Sequence, residues 1–354
     1  MPTAPPPRVP HLRDGSIVAK VGGSLLLLAF TTASFAQHRK GDRNASGYDN
    51  ANRATLLHTA NVYVMADSST PPITTVAPGH EVVVQQKNGD WVDVFANTDA
   101  KDDADPDSKP EFEDPKDSPD PSSGWIRNKG IVGPSTPHGD LILFGAAAEY
   151  ESQAAHPNPP TGAAAAAHRL YQRVVDYFPD SPLAPEALFR AADIRWQLDK
   201  LDISTLPSAH EQDAYLRPQL YDGELRKVMK LYPNSDFAAR AAFDLIDAKL
   251  CGDWQGLPHC PDMESNVYLK YASQYPGGPK TAEALYDAAY RQGVLVTMYK
   301  VDDDQHHSDA AAKNCQAIAD QLLHDYPKSD YATRAEAIAF KVAQGIPIYG
   351  SDRD

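Results

Sequence analysis

Asp103, Asp105, Asp107, Lys109, Glu111 and Asp114 stand at positions 1, 3, 5, 7, 9 and 12 of a short segment, the ligand spacing of a calcium loop. Calcium collects hard oxygen ligands from such a loop, and its sixth residue is a glycine that turns the chain sharply. Here Ser108 takes the glycine position and Pro106 stiffens the run. The segment reads as a solvated run of acid, not as a metal site. Asp302-Asp303-Asp304 followed by His306 and His307 also offers metal-ligand side chains, but nothing nearby in sequence completes a ligand set. His259 beside Cys260 has the residue types of a thiol nucleophile and its base. Cys251 competes for the same thiol, because two cysteines across a short Gly- and Pro-containing loop pair in an oxidising compartment. Gly-x-Ser-x-Gly, His-Glu-x-x-His and the phosphate loop do not occur. No catalytic residue, no cofactor and no metal is therefore expected. A hydrolase with an unmarked site is the enzymatic alternative.

The charge balance narrows the partners. The 354 residues carry a net charge of −15, which argues against general nucleic-acid binding, since that needs a basic footprint. The acid is concentrated: Asp99 to Asp120 holds ten acids against three lysines. Residues 97–123 are expected to be a mobile acidic insertion, because Asp, Pro, Ser and Lys cannot bury a core.

The N-terminus has the parts of a secretory signal. Arg8, Arg13 and Lys20 are basic, Val21 to Phe35 is a short apolar run, and Ser34 and Ala36 are small residues at the positions that signal peptidase reads. Residues 1–36 are expected to be a signal peptide, with an uncleaved anchor as the competing reading. Residues 37–53 are expected to be a disordered leader. No integral membrane span is expected after cleavage. Export favours a Cys251–Cys260 disulfide and leaves Cys315 over.

Residues 54–133 read as short strands. Asn61 to Val64, Pro72 to Val76, Glu81 to Gln86, Trp91 to Phe95, Gly124 to Ile126 and Gly130 to Val132 are β-rich runs between turn residues. Asn88-Gly89 marks a hairpin. Asn61-Val62, Gly79, Val82 to Val84, Gly89-Asp90-Trp91, Val94 and Gly124-Trp125-Ile126 together resemble the bacterial SH3 family. That resemblance implies a small all-β SH3-like barrel. Tyr63 stands where the family usually has Arg. Tyr63, Trp91 and Trp125 are the candidate lining of a binding groove, with a core role for Trp91 as the competing reading.

From residue 140 to 345 the period turns helical and an internal repeat appears. Phe178-Pro179, Tyr232-Pro233, Tyr275-Pro276 and Tyr326-Pro327 are each followed by two alanines at helical spacing. Each proline ends a helix. Ser181, Ser235, Gly278 and Ser329 then stand where an N-cap belongs, with Pro182 and Pro279 expected at the first helical position. Before the prolines come Ala167, Tyr171 and Val174; Tyr221, Leu225 and Val228; Glu264, Tyr268 and Tyr271; Cys315, Ala319 and Leu322. This pattern resembles tetratricopeptide repeats, with Tyr221 and Glu264 breaking the small position and Cys315 filling it. Loops are expected near 200–212, 252–262 and 300–308, and a tail at 346–354. The long repeats resemble those of bacterial outer-membrane assembly lipoproteins and periplasmic cell-division coordinators. Tyr215, Tyr221, Tyr286, Tyr290, Arg195 and Arg291 are candidates for the concave face of such an array.

The resemblances imply a multidomain chain, an all-β barrel plus an all-α solenoid, acting as a periplasmic or secreted scaffold. Its expected partner is a protein of the cell envelope, held by the repeats. Peptidoglycan recognition by the barrel, with the repeats as a spacer, is the alternative.

Overall fold

The computed structural model describes residues 52–99, 120–211, 214–251, 254 and 256–350. The signal-like segment, nearly all of the leader and the calcium-like pattern at 103–114 lie outside them. So do the last four residues of the tail.

Seven short strands come first. They are β1 (Arg53–Leu56), β2 (Ala60–Val62), β3 (Thr74–Val76), β4 (Glu81–Asn88), β5 (Trp91–Ala96), β6 (Ser122–Arg127) and β7 (Ile131–Val132). Five form an antiparallel sheet in the order β6-β5-β4-β1-β7, and β2 pairs with β3 apart from it. Asn88 sits opposite Trp91, so the β4–β5 hairpin turns at Gly89, whose φ of 56° is in the left-handed region. Leu56, Val62, Val76, Val82, Val92, Val94 and Ile126 are buried together as its core. One bridge between Tyr63 and Trp125 ties the β2–β3 pair to the edge strand β6. Among the described residues no sheet closes on itself, so the expected barrel appears as a small antiparallel sheet with a bridged pair.

Three boundaries differ from the sequence reading. β1 begins at Arg53 and pairs with both β4 and β7. Its Arg-Ala-Thr-Leu run has too few β-rich residues to stand out. The acidic insertion is shorter than 97–123, because β6 starts at Ser122 and Asn97 to Asp99 are packed. Asn97 holds its place by donating from Nδ2 to the Thr75 carbonyl at 3.2 Å. The tail packs too: Ile348 is buried, and its N–H donates to Thr297 Oγ1 at 3.0 Å.

The helices are α1 (Gly139–Ala154), α2 (Ala163–Tyr177), α3 (Ala184–Ser204), α4 (Gly223–Leu231), α5 (Asp236–Asp244), α6 (His259–Gln274), α7 (Thr281–Val301), α8 (Gln305–Asp325) and α9 (Asp330–Ala343). Pro179, Pro233, Pro276 and Pro327 fall in the turns after α2, α4, α6 and α8. The helices run longer than expected into all three predicted loops, since α3 reaches Ser204, α6 starts at His259 and α8 starts at Gln305. Successive helices pack as pairs, and α3 also touches α5 while α7 touches α9. The helices after the first two prolines therefore lie side by side, and so do those after the last two. Every pre-proline position of the repeat is buried except Tyr221, which is half-buried and precedes α4. The tetrad Glu186-Ala187-Leu188-Phe189 of α3 recurs as Glu283-Ala284-Leu285-Tyr286 in α7, with both alanines fully buried. Alanine there lets neighbouring helices approach closely.

Two of the four expected N-caps form. Ser235 accepts from Ala238 N, and Ser329 accepts from Tyr331 N. Ser181 and Gly278 do not cap: α3 and α7 start later, at Ala184 and Thr281. Proline disfavours the helical region for the residue before it, so Pro182 and Pro279 lengthen these two turns instead of opening the helices.

The sheet is docked on the first helices. Val132 of β7 belongs to the same buried cluster as Leu143, Leu170 and Tyr171. Tyr150 donates to the Leu57 carbonyl at 3.2 Å, and Arg173 Nε donates to the Gly79 carbonyl at 3.0 Å. Gly79 has φ 82°, and a Cβ there would lie 2.5 Å from Cβ of Arg169, so only glycine allows this approach. The β-module thus covers the open end of the array, the place where a helical repeat needs a cap.

Candidate interaction site

Two surfaces and two buried clusters hold the candidate residues. On the β-module, Tyr63 and Trp91 meet edge to face with ring centroids 5.7 Å apart. Trp91 is 9% exposed, and the Arg127 guanidinium lies 4.0 Å from its ring centroid. Trp125 is half-buried and exchanges both backbone bonds with Tyr63, at 2.9 and 2.7 Å. The three predicted aromatics are therefore brought together by adjacent strands, with Trp91 the most buried. Val64, Met65 and Ile73 are exposed along the loop that leaves and re-enters this patch.

The second surface lies on the post-proline helices. Asp193 of α3, Asp244 of α5 and Asp247 beyond it act on one another electrostatically, and Lys200 and Lys280 answer them. Lys200 Nζ is 2.6 Å from Asp247 Oδ2, and Lys280 Nζ is 2.6 Å from Glu283 Oε2. Burial first, and then the carboxylates of Asp193 and Asp247, push the Asp244 carboxyl up to about 8. None of these residues stands out in the sequence. Acid at scattered helical positions looks like ordinary solvated surface until the helices are placed side by side.

The arginines expected on the concave face are buried instead. Arg195 pairs with Glu224 at 3.1 Å and stacks 3.9 Å from the Tyr221 ring centroid. Glu224 also meets His168 Nε2 at 2.9 Å. Burial would raise the Glu224 carboxyl, but His168 and Arg195 outweigh it and hold it below the usual range. Arg291 is buried with Glu264, Nε to Oε2 at 2.9 Å, their side chains 1% and 0% exposed. Glu264 Oε1 also accepts from the Cys251 N–H at 2.9 Å and the Trp254 indole at 3.1 Å. The break in the small-residue pattern at Glu264 is thus a buried charge with three donors. Of the tyrosines, Tyr215 is exposed, and Tyr286 packs against Tyr290 and Tyr331.

Cys251 and Cys260 form a disulfide, so His259–Cys260 is not a free thiol pair. Cys315 is free and fully buried, and burial pushes its thiol up to about 12. Asp304 caps α8 by accepting from His307 N at 3.1 Å, and its other oxygen meets His307 Nδ1 at 2.6 Å. Among the described residues no group of three or more His, Cys, Asp or Glu side chains is placed to hold a metal.

A charged knot joins the two parts of the chain. Asp99 pairs with Arg173 of α2, meets His80 Nδ1 at 2.7 Å, and accepts from Glu81 N at 3.1 Å. Burial works to raise the Asp99 carboxyl, but the His80 bond and the Arg173 charge hold it below the usual range. Asp99 belongs to the stretch expected to be mobile, and the structure makes it a docking residue instead.

No family model matches the chain, and no curated protein matches it. Similar solved structures include the crystal structure of the de novo designed helical repeat protein DHR64, at 14% identity and a TM-score of 0.22. The match covers 58% of this chain and 94% of that one. The DHF58 filament has the same identity and TM-score, over 58% of this chain and 93% of that one. At these scores the likeness carries no argument, and the helical array rests on this chain's own packing. No described helix is long and apolar enough to cross a membrane.

Proposed function

We propose that this protein is a non-enzymatic adaptor of the bacterial cell envelope, exported by residues 1–36 to the periplasm. On this reading the helices are tetratricopeptide-type repeats that hold a partner protein, and the β-module is SH3-like. The observation that carries the reading is the packing of α3 beside α5. It brings Asp193 together with Asp244 and Asp247, while Lys280 Nζ lies 5.3 Å from the Phe243 ring centroid. Burial pushes both Asp193 and Asp244 toward the neutral acid, and a partner's lysine or arginine would draw them back to carboxylates, so a basic segment suits this face. Photo-crosslinking tests it. A crosslinker at Gln197, exposed on α3 one turn beyond Asp193, should capture a defined envelope protein. The same group at Gln316, exposed on α8, should not. Equal capture at both positions, or none at Gln197, would sink the adaptor reading.

The second reading is peptidoglycan recognition by the β-module. The edge-to-face Tyr63–Trp91 pair with Trp125 beside it favours it, because adjacent rings make a platform for a sugar or peptide. Sedimentation of the full chain with purified cell wall, with and without Tyr63→Ala and Trp125→Ala, separates the two.

A further inference from the structure

We propose that the Cys251–Cys260 disulfide is a redox switch on the buried Glu264–Arg291 pair. Two-electron reduction releases Cys251 and Trp254 from α6, lets water reach both charges, and leaves the helices folded.

The argument begins with what solvates Glu264. Its carboxylate has three donors, and two of them, the Cys251 N–H and the Trp254 indole, come from one side of the disulfide. The other side is Cys260, in the first turn of α6, the helix that carries Glu264. The bond therefore holds the two donors over the acid they serve. Arg291 completes the set from α7 and lies 5.7 Å from the Trp254 ring centroid and 4.7 Å from that of Tyr268.

A covered ion pair differs from a covered apolar patch in what happens on opening. Apolar side chains lose by meeting water, whereas two buried charges recover hydration. Hydration of the two charges therefore offsets part of the cost of uncovering the apolar side chains packed with Trp254. The backbone supplies a pivot beside the switch. Gly256 sits at φ 74° with open space where a Cβ would be, and Leu257 next to it is exposed.

The helices do not depend on the bond. Cys251, Trp254 and Cys260 share a buried cluster with Val294, Cys315, Ile338 and Ile348. A second cluster, built on Tyr268, Tyr271, Ala284 and Ala288, joins α6 to α7 further along and also takes in Leu250. A staple would hold the whole fold, whereas this bond holds one corner of it.

The chemistry balances with a dithiol as reductant. A thiolate of the dithiol attacks one sulfur and breaks the S–S bond. Its second thiol then displaces the mixed disulfide. Two cysteine thiols and one oxidised dithiol result.

Hydrogen exchange on the full chain, with and without dithiothreitol, tests the switch. Amide exchange at Cys251 and around Gly256 and Leu257 should rise by about 10-fold or more on reduction, while Tyr268 to Ala272 and Ala284 to Gln292 keep their rates. The double variant Cys251→Ser/Cys260→Ser should exchange like the reduced chain in either buffer, which covers slow entry of the reagent to the sulfurs. Unchanged exchange in the double variant would overturn the proposal. So would loss of protection throughout α6 and α7, which would make the bond a staple.

Discussion

Glu264 and Arg291 meet at 2.9 Å, from α6 and α7, with neither side chain reaching solvent. A pair this deep adds little net stability over apolar residues of the same size, yet either charge left alone is costly. Arg291→Met should therefore destabilise the fold by about 3–5 kcal/mol. Adding Glu264→Gln should recover part of that loss. Urea unfolding of the two variants measures both, and a double variant no better than the single would contradict the account.

Asp244 gives a pH prediction of definite sign. Its folded value of about 8 lies above the ordinary 3.8, so the folded chain favours the protonated acid. The stability it contributes is fully present below 3.8 and is lost as pH rises through 8. Asp244→Asn should therefore raise stability at pH 8.5, on the order of 1–2 kcal/mol, and should match the wild type at pH 3.5. Thermal melts across that range check it, and a destabilised variant at high pH would remove Asp244 from the acid row.

Asp99 has the opposite sign. Its carboxyl is held below 3.8, so its contribution is present above that value and is lost as pH falls through the lower folded one. Asp99→Asn should loosen the contact of the β-module with α2 by about 1–3 kcal/mol at pH 7. Exchange of the β1 and β4 amides should quicken while that of α7 does not. A uniform change across the chain would mean that the knot is not a local dock.

The helical half of this fold was legible because proline and alanine have few places to go. The Tyr-Pro step ended α4, α6 and α8, and the small positions Ala167 and Cys315 are fully buried. The strands around Asn88-Gly89 were legible for the same kind of reason, a turn that demands glycine. β1 was not, since its partners lie far away in sequence and its own residues are weak strand formers. Asp99 was hidden by the acids that follow it. Glu264 was visible as an irregularity, but only packing shows that it faces Arg291 and not solvent. The acid row of Asp193 and Asp244 could not be read in advance, because it exists only once α3 and α5 lie side by side.

Cys315 offers a chemical test of burial. A thiol pushed up to about 12 and shut from solvent forms almost no thiolate at pH 8. Iodoacetamide should leave the native chain unlabelled and should label one cysteine after unfolding without reductant. Labelling of the native chain would place Cys315 at a surface.

The adaptor reading is tested most directly by comparing three forms of the full chain in pull-downs from crosslinked envelope fractions. These are the wild type, an Asp193→Lys/Asp247→Lys variant of the helical face, and a Tyr63→Ala/Trp125→Ala variant of the β-module. The account predicts a defined protein that binds the wild type and the β-module variant, is lost from the helical-face variant, and rebinds when purified. Cell-wall material alone, lost only from the β-module variant, would contradict it and make the helices a spacer.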